Sequence, residues 1–231
     1  MSERILRVAA SAGLLLLVAG CEQTTTATFS VGLEASLSTA DFPVSDELRE
    51  DTASGPIVRE VPCDAVACPS TPEAPVTCVA GTCDPEPLII SAPVGDPVDL
   101  DELAGDLDDV IGEIDSIEIL ELRYQVQRNT LIIPVEEVEV FWGPAGAVSV
   151  DSMGVQRLGV VPSIAVGTTG EGDVMLDAAG AEGFTTYYET TSHRYRFFVR
   201  TGTDLSPGGP FPEGELDVAV TMRVRVTGSL L

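Results

Sequence analysis

Four cysteines, Cys63, Cys68, Cys78 and Cys83, stand in a Cx4Cx9Cx4C arrangement and are the densest set of reactive side chains in the sequence. Two chemistries use such spacing: a pair of disulfides, or a four-thiolate zinc site. Four cysteines allow three connectivities, and the spacing leaves nested and crossing pairs equally open. Other reactive side chains are few. His193 is the single histidine, and without a GxSxG elbow to supply a partner serine it reads as a core or interface residue, not a general base. One histidine also excludes HExxH and related metal patterns. The 231 residues contain no lysine, so Walker A phosphate loops and Schiff-base chemistry are excluded as well. Gly167, Gly170 and Gly172 precede a strand and not a helix, which makes them turn residues rather than a dinucleotide fingerprint. Trp142 alternates in phase with Val138 and Val140 and belongs to a core, not to a sugar platform. Carboxylates remain. A pair about 5 to 9.5 Å apart would suit glycoside hydrolysis, and a cluster of their oxygens would suit calcium, although no DxDxDG loop is present.

Charge narrows the partners. Asp and Glu number 37 against 12 basic residues, all arginine, for a net charge of -25. Such an excess repels phosphate backbones and anionic headgroups, which excludes nucleic-acid binding and polybasic membrane attachment. A hydrophobic content of 44% is still enough to bury a core.

The first twenty residues carry Arg4 and Arg7 and then an apolar run from Val8 to Ala19. That run is shorter than the roughly 20 residues a membrane-spanning helix needs, and it has signal-peptide length. It ends Leu17, Val18, Ala19, Gly20, Cys21. This ending resembles the lipobox of bacterial lipoproteins. The resemblance covers about the first 22 residues. It implies that the Cys21 thiol receives a diacylglyceryl group, that signal peptidase II cuts after Gly20, and that Cys21 becomes an acylated N-terminus anchored in a membrane. Two or three acyl chains give stable anchoring. Glu22, where inner-membrane lipoproteins of some bacteria carry Asp, points to the outer membrane. Removal of residues 1–20 leaves ten arginines against 36 acids, a net -26. Export to an oxidising compartment then favours disulfides among Cys63, Cys68, Cys78 and Cys83 over zinc. No cofactor or metal is implied.

The elements that would position these residues are mainly β. Residues 21–26 read as a lipidated tether. Phe29, Val31, Leu33, Ala35 and Leu37 then alternate with polar residues as a half-buried strand. Ser45 caps one helical turn ahead of Asp46 and Glu47. Eight of the sixteen prolines fall in the Cys/Pro-rich segment 62–97, which therefore cannot form a long central strand and reads as a stapled insertion. Leu100, Leu103, Leu107, Val110, Ile111 and Ile114 recur at spacings of three and four, predicting an amphipathic helix whose acidic face carries Asp99, Asp101, Glu102, Asp106, Asp108, Asp109, Glu113 and Asp115. From Ser116 the period becomes two, with a phase slip at Ile119–Leu120 that predicts a β-bulge. Strands follow at Val138–Trp142, on the face shared by His193, Tyr195, Phe197 and Val199, and from Leu216 to Val226.

This pattern predicts an antiparallel β-sandwich, Ig-like or jelly-roll-like, with one or two short helices and one domain over 27–231. Arg194, Arg196 and Arg200 oppose the apolar face of one late strand, and Arg223 and Arg225 oppose that of the next. If those strands pair as a hairpin across the loop 201–214, the five arginines form one basic stripe. Such a stripe would dock an acidic surface, either the chain's own 99–115 segment or an anionic envelope partner. The functional expectation is a lipid-anchored protein of the bacterial outer membrane, facing periplasm or cell surface, with a structural or protein-binding role and no catalysis. The rival expectations are a carboxylate-dependent, glycosidase-like hydrolase and a calcium-dependent surface protein.

Overall fold

The structure, a computed structural model, describes residues 24–38, 44–63, 67–71, 74–99 and 111–230. Apolar residues at every second position give each long strand one face to bury. β1 (Thr24–Ser38) pairs antiparallel with β13 (Glu215–Leu230) over fifteen residues. β13 pairs on its other side with β7 (Ile111–Asn129), and β7 with the short β10 (Gly170–Asp173). The second sheet contains β11 (Met175–Leu176), β9 (Gln156–Val161), β8 (Val138–Pro144), β12 (Arg194–Thr203) and β6 (Leu88–Asp99), in that order and antiparallel throughout. Inner faces of both sheets meet in one buried cluster. Val31, Leu122, Met222 and Val224 come from the four-stranded sheet, and Val94, Val140, Trp142 and Phe197 from the five-stranded sheet. The protein is an antiparallel β-sandwich, as the alternation predicts.

One local expectation appears in the register. Arg223 pairs with Glu121 but Val224 with Ile119, so Leu120 is the extra residue of a bulge at the phase slip. The stapled insertion expected over 62–97 is corrected at its end, since residues 88–97 belong to β6 of the five-stranded sheet. This strand is twelve residues long and contains Pro93 and Pro97, yet it lies at the sheet edge, where a missing ladder donor is tolerated.

One helix is corrected and another enters. Residues 111–115, which the three-four spacing assigns to an amphipathic helix, are strand: Ile111 pairs with Leu230 and Ile114 with Gly228. Pairing with a long neighbour overrides a weak helical signal that Gly112 had already lowered. Residues 100–110 of that predicted helix lie outside the described residues. The helix observed is α1 (Ala178–Thr190). The carboxylate of Asp177 caps it by accepting from the Ala179 and Gly180 amides. Phe184 and Tyr188, four residues apart, are buried on its inner face.

The chain between β1 and β6 builds a smaller unit at the end of β1 farthest from residue 24. A 3-10 turn at Asp46–Leu48 takes its cap from the Ser45 hydroxyl, as predicted, and buries Leu48. β2 (Arg49–Thr52) and β3 (Gly55–Val58) form one hairpin, β4 (Val76–Val79) and β5 (Thr82–Pro85) another. The second hairpin turns at Ala80 and Gly81, with φ of 50° and 86°, a left-handed pair suited to a two-residue connection. Cys78 and Cys83 face each other across it. The Cys83 amide donates to the Val61 carbonyl and the Cys63 amide to that of Gly81, which brings residues 61–63 alongside β5. The disulfides are therefore the crossing pairs Cys63–Cys78 and Cys68–Cys83, with Cα separations of 5.8 and 5.5 Å. The Cys63, Cys68 and Cys83 sulfurs all lie within 4.8 Å of one another because the two bridges are adjacent. Leu48, Val58, Cys83, Leu88, Leu205 and Phe211 form the core of this unit.

Each bridge spans fifteen residues. Loss of the Cys63–Cys78 bridge in a double alanine variant should cost about 3 kcal/mol in urea unfolding, by loop-closure entropy. Loss of Cys68–Cys83 should cost more, because Cys83 is fully buried and leaves a void. Equal costs, or a non-reducing peptide map with Cys63 linked to Cys68, would refute this assignment.

Candidate functional site

The structure separates the five arginines of the predicted stripe. β12 lies between β8 and β6 in one sheet, and β13 between β1 and β7 in the other, so the hairpin across 201–214 does not form. A strand can bury its apolar face toward the opposite sheet beside any neighbour, and here β12 takes β8 and β6 as partners while β13 takes β1 and β7. Four of the five are instead ion-paired locally. Arg194 pairs with Asp99 at 3.2 Å, Arg223 with Glu121 at 3.3 Å, and Arg225 with Glu118 at 2.9 Å. The pair Arg194–Asp99 is one contact to the acidic segment 99–115, of which 100–110 lie outside the described residues. Arg196 has a buried Nε without a hydrogen-bond partner among the described residues.

Arg200 belongs to the most organised charge cluster. Its guanidinium lies 2.7 Å from Glu139, and Arg157 reaches the other oxygen of the same carboxylate at 3.3 Å. Arg157 also holds Asp177 at 3.0 Å, linking β8, β9, β12 and the α1 cap in one network. Arg200 stacks over the Phe141 ring at 5.0 Å. Partial burial pushes the Glu139 carboxyl up, but the hydrogen bonds and charge of Arg200 and then Arg157 outweigh this and hold its pKa below the ordinary 4.5. Such an acid stays ionised and is a poor proton donor. Phe198 lies on this same outer face, fully buried against Phe141 and Ala147.

His193 precedes β12 and stacks on Tyr188, ring centroids 4.2 Å apart. Tyr195 is fully buried, with no hydrogen-bond partner for its hydroxyl among the described residues. Burial, with Tyr188 beside it, pushes its phenol pKa up, so it stays neutral. Trp142 is in the core, as its phase predicts, and its indole donates to the Gly180 carbonyl at 2.9 Å.

A cleft of about 910 Å³ opens between the two sheets along edge strands β1 and β6. Its floor is aliphatic: Val138, Val140, Val161, Ile164, Val199 and Leu216. Core aromatics are absent from its lining and group instead around α1, where Phe184 lies 5.4 Å from Trp142 and 4.9 Å from Tyr195. Sequence reading missed this cleft, because it depends on which strands end as edges. It also missed α1, whose signal was Asp177 ahead of an alanine-rich run, with Ala181, Phe184 and Tyr188 at helical spacing. Gly180 and Gly183 obscured that signal.

Cys21 lies outside the described residues. No family model and no curated protein matches the chain. Among solved structures it is similar to a chain of Desmodium yellow mottle tymovirus at 12% identity and TM-score 0.30, covering 73% of this chain and 95% of that one. It is also similar to infectious bursal disease virus, Gx strain, at 10% identity and TM-score 0.26, covering 96% of this chain and 55% of that one.

Glu139 provides a pH test. Its folded pKa is depressed, so its stabilisation is present above about pH 4.5 and is lost as pH falls through the lower folded value. Glu139→Gln should cost about 1 kcal/mol at pH 7, with that difference shrinking below pH 4. A pH-independent difference in chemical unfolding would contradict the ion-paired assignment.

Proposed function

We propose that this protein is a lipid-anchored component of the bacterial outer membrane with a structural or protein-binding role. The observation that carries the reading is the run Leu17 to Cys21 behind a short apolar segment with two arginines before it. Acylated Cys21 is the anchor. Only two residues separate it from Thr24, where β1 begins, so the sandwich would sit within about 10 Å of the anchoring cysteine. β1 then extends over fifteen residues, about 45 Å, before the chain enters the disulfide-bonded unit. Anchoring at Cys21 would thus leave that unit at the opposite end of β1, where a partner could reach it. Two disulfides suit this location, since they hold a small proline-rich unit in an oxidising compartment.

Expression of Cys21→Ser with residues 1–20 intact, followed by cell fractionation, tests the reading. The variant should remain unprocessed and lose the acylated form, whereas the parent should sediment with outer membranes and gain the mass of its acyl chains. Identical processing and sedimentation of the two would overturn it.

A further inference from the structure

We propose that the cleft between β1 and β6 receives an extended segment of a partner protein, added as a strand to the free edge of β1 and alternating apolar with basic residues. The inference deepens the protein-binding reading and rests on it. Three observations converge on this occupant.

The first is the edge itself. β1 is the terminal strand of its sheet, so one side of its backbone has no hydrogen-bonded strand neighbour among the described residues. Proteins blunt such edges with proline, bulges or several charges. β6, across the cleft, carries Pro93 and Pro97 and a register shift opposite Arg196. β1 has neither proline nor bulge: its fifteen pairs with β13 run without a break, and Glu34 is its single charged residue. The cleft touches consecutive residues Glu34 to Leu37, as it must if it follows the backbone edge and not one face alone.

The second is the interior. Well-packed domains contain few voids larger than a water molecule. Here the half of the sandwich away from α1 is lined mainly by Val, Ile, Leu and Ala around a space of about 910 Å³. Alternate side chains of an added strand point inward and would fill such a space.

The third is charge. Glu34 and Asp96 lie exposed at the mouth, one on each edge strand, and neither is ion-paired with a described residue. Asp217, also at the cleft, is by contrast held by Arg128 at 2.8 Å. Two carboxylates at the mouth without an ion-pair partner among the described residues select arginine or lysine on the outward positions of the incoming strand and disfavour anionic lipids or acids.

The test uses the full-length protein in phosphatidylcholine nanodiscs and a labelled nine-residue peptide alternating valine with arginine. A second peptide of the same composition, with valines and arginines in separate blocks, controls for bulk charge. The alternating peptide should saturate a single site, with the block peptide at least about tenfold weaker. Hydrogen exchange should slow at residues 32–38 on binding. Val199→Trp, which fills the cleft, should weaken binding at least about tenfold. Glu34→Gln with Asp96→Asn should weaken it at about 0.1 M salt and much less at about 1 M. Should Val199→Trp fail to fold, the carboxylate pair and the exchange data decide the matter. Equal binding of both peptides, no protection in β1, or displacement by octylamine as effective as by peptide would overturn the proposal. Each of these outcomes leaves the fractionation of the Cys21→Ser variant unaffected, so failure of the cleft is distinguishable from failure of the anchor.

Discussion

The buried hydrogen bond from the Trp142 indole to the Gly180 carbonyl joins α1 to the five-stranded sheet, and the shape of the sandwich follows from that junction. α1 can approach so closely because residue 180 has no side chain: a Cβ there would sit 1.7 Å from the Arg157 carbonyl oxygen. The same helix reaches the other sheet through the Thr185 hydroxyl, which donates to the Ile117 carbonyl at 2.9 Å. Phe184 and Tyr188 then fill the space between the sheets, Phe184 making edge-on aromatic contacts to Trp142 and Tyr195. One helix thus completes the core on one side. The opposite side has no equivalent element among the described residues, and the cleft between β1 and β6 is the consequence.

Charge is distributed by the same logic. A chain with net charge -25 must keep its acids from repelling one another. On β7, β12 and β13 all arginines but Arg196 pair with carboxylates of the same or an adjacent strand. Glu121 serves Arg123 and Arg223, Glu139 serves Arg157 and Arg200, and Asp217 with Glu215 serves Arg128. Exposed pairs of this kind contribute only about 0 to 1 kcal/mol each. Their value is in fixing strand neighbours and cancelling local repulsion, which is why the arginines do not gather into one basic surface.

Much of the sandwich was legible because a period of two is a strong signal in long strands. β1, β7, β8, β12 and β13 all follow the alternation, including the extra residue at Leu120. The Ser45 cap was legible from local chemistry, but β6 was not, because Pro93 and Pro97 placed it in an insertion and the edge position that tolerates them depends on the assembled sheet. Which strands would be neighbours was not. Alternation states which face a strand buries but not against which partner, so β12 and β13 read as a hairpin although they lie in opposite sheets. Ile111 and Ile114 fit a helical spacing as well as a strand, and the fourteen-residue register between β13 and residues before Asn129 decided between them. α1 carried two glycines that its packing requires and its propensity disfavours. The crossing disulfides depended on a tight turn at Ala80–Gly81, a property of backbone geometry and not of cysteine spacing.

The dependence of both sheets on α1 is tested most directly by Gly180→Ala, followed in urea by far-UV circular dichroism and Trp142 fluorescence together. The structure predicts a loss of about 3 kcal/mol or more, from a backbone clash that no side-chain rotation relieves, with both signals falling in a single transition. Gly146→Ala, where an added Cβ meets nothing within 4 Å, should stay within about 0.5 kcal/mol of the parent. A Gly180→Ala protein of parental stability, or one whose Trp142 signal changes well before its strands unfold, would contradict the account.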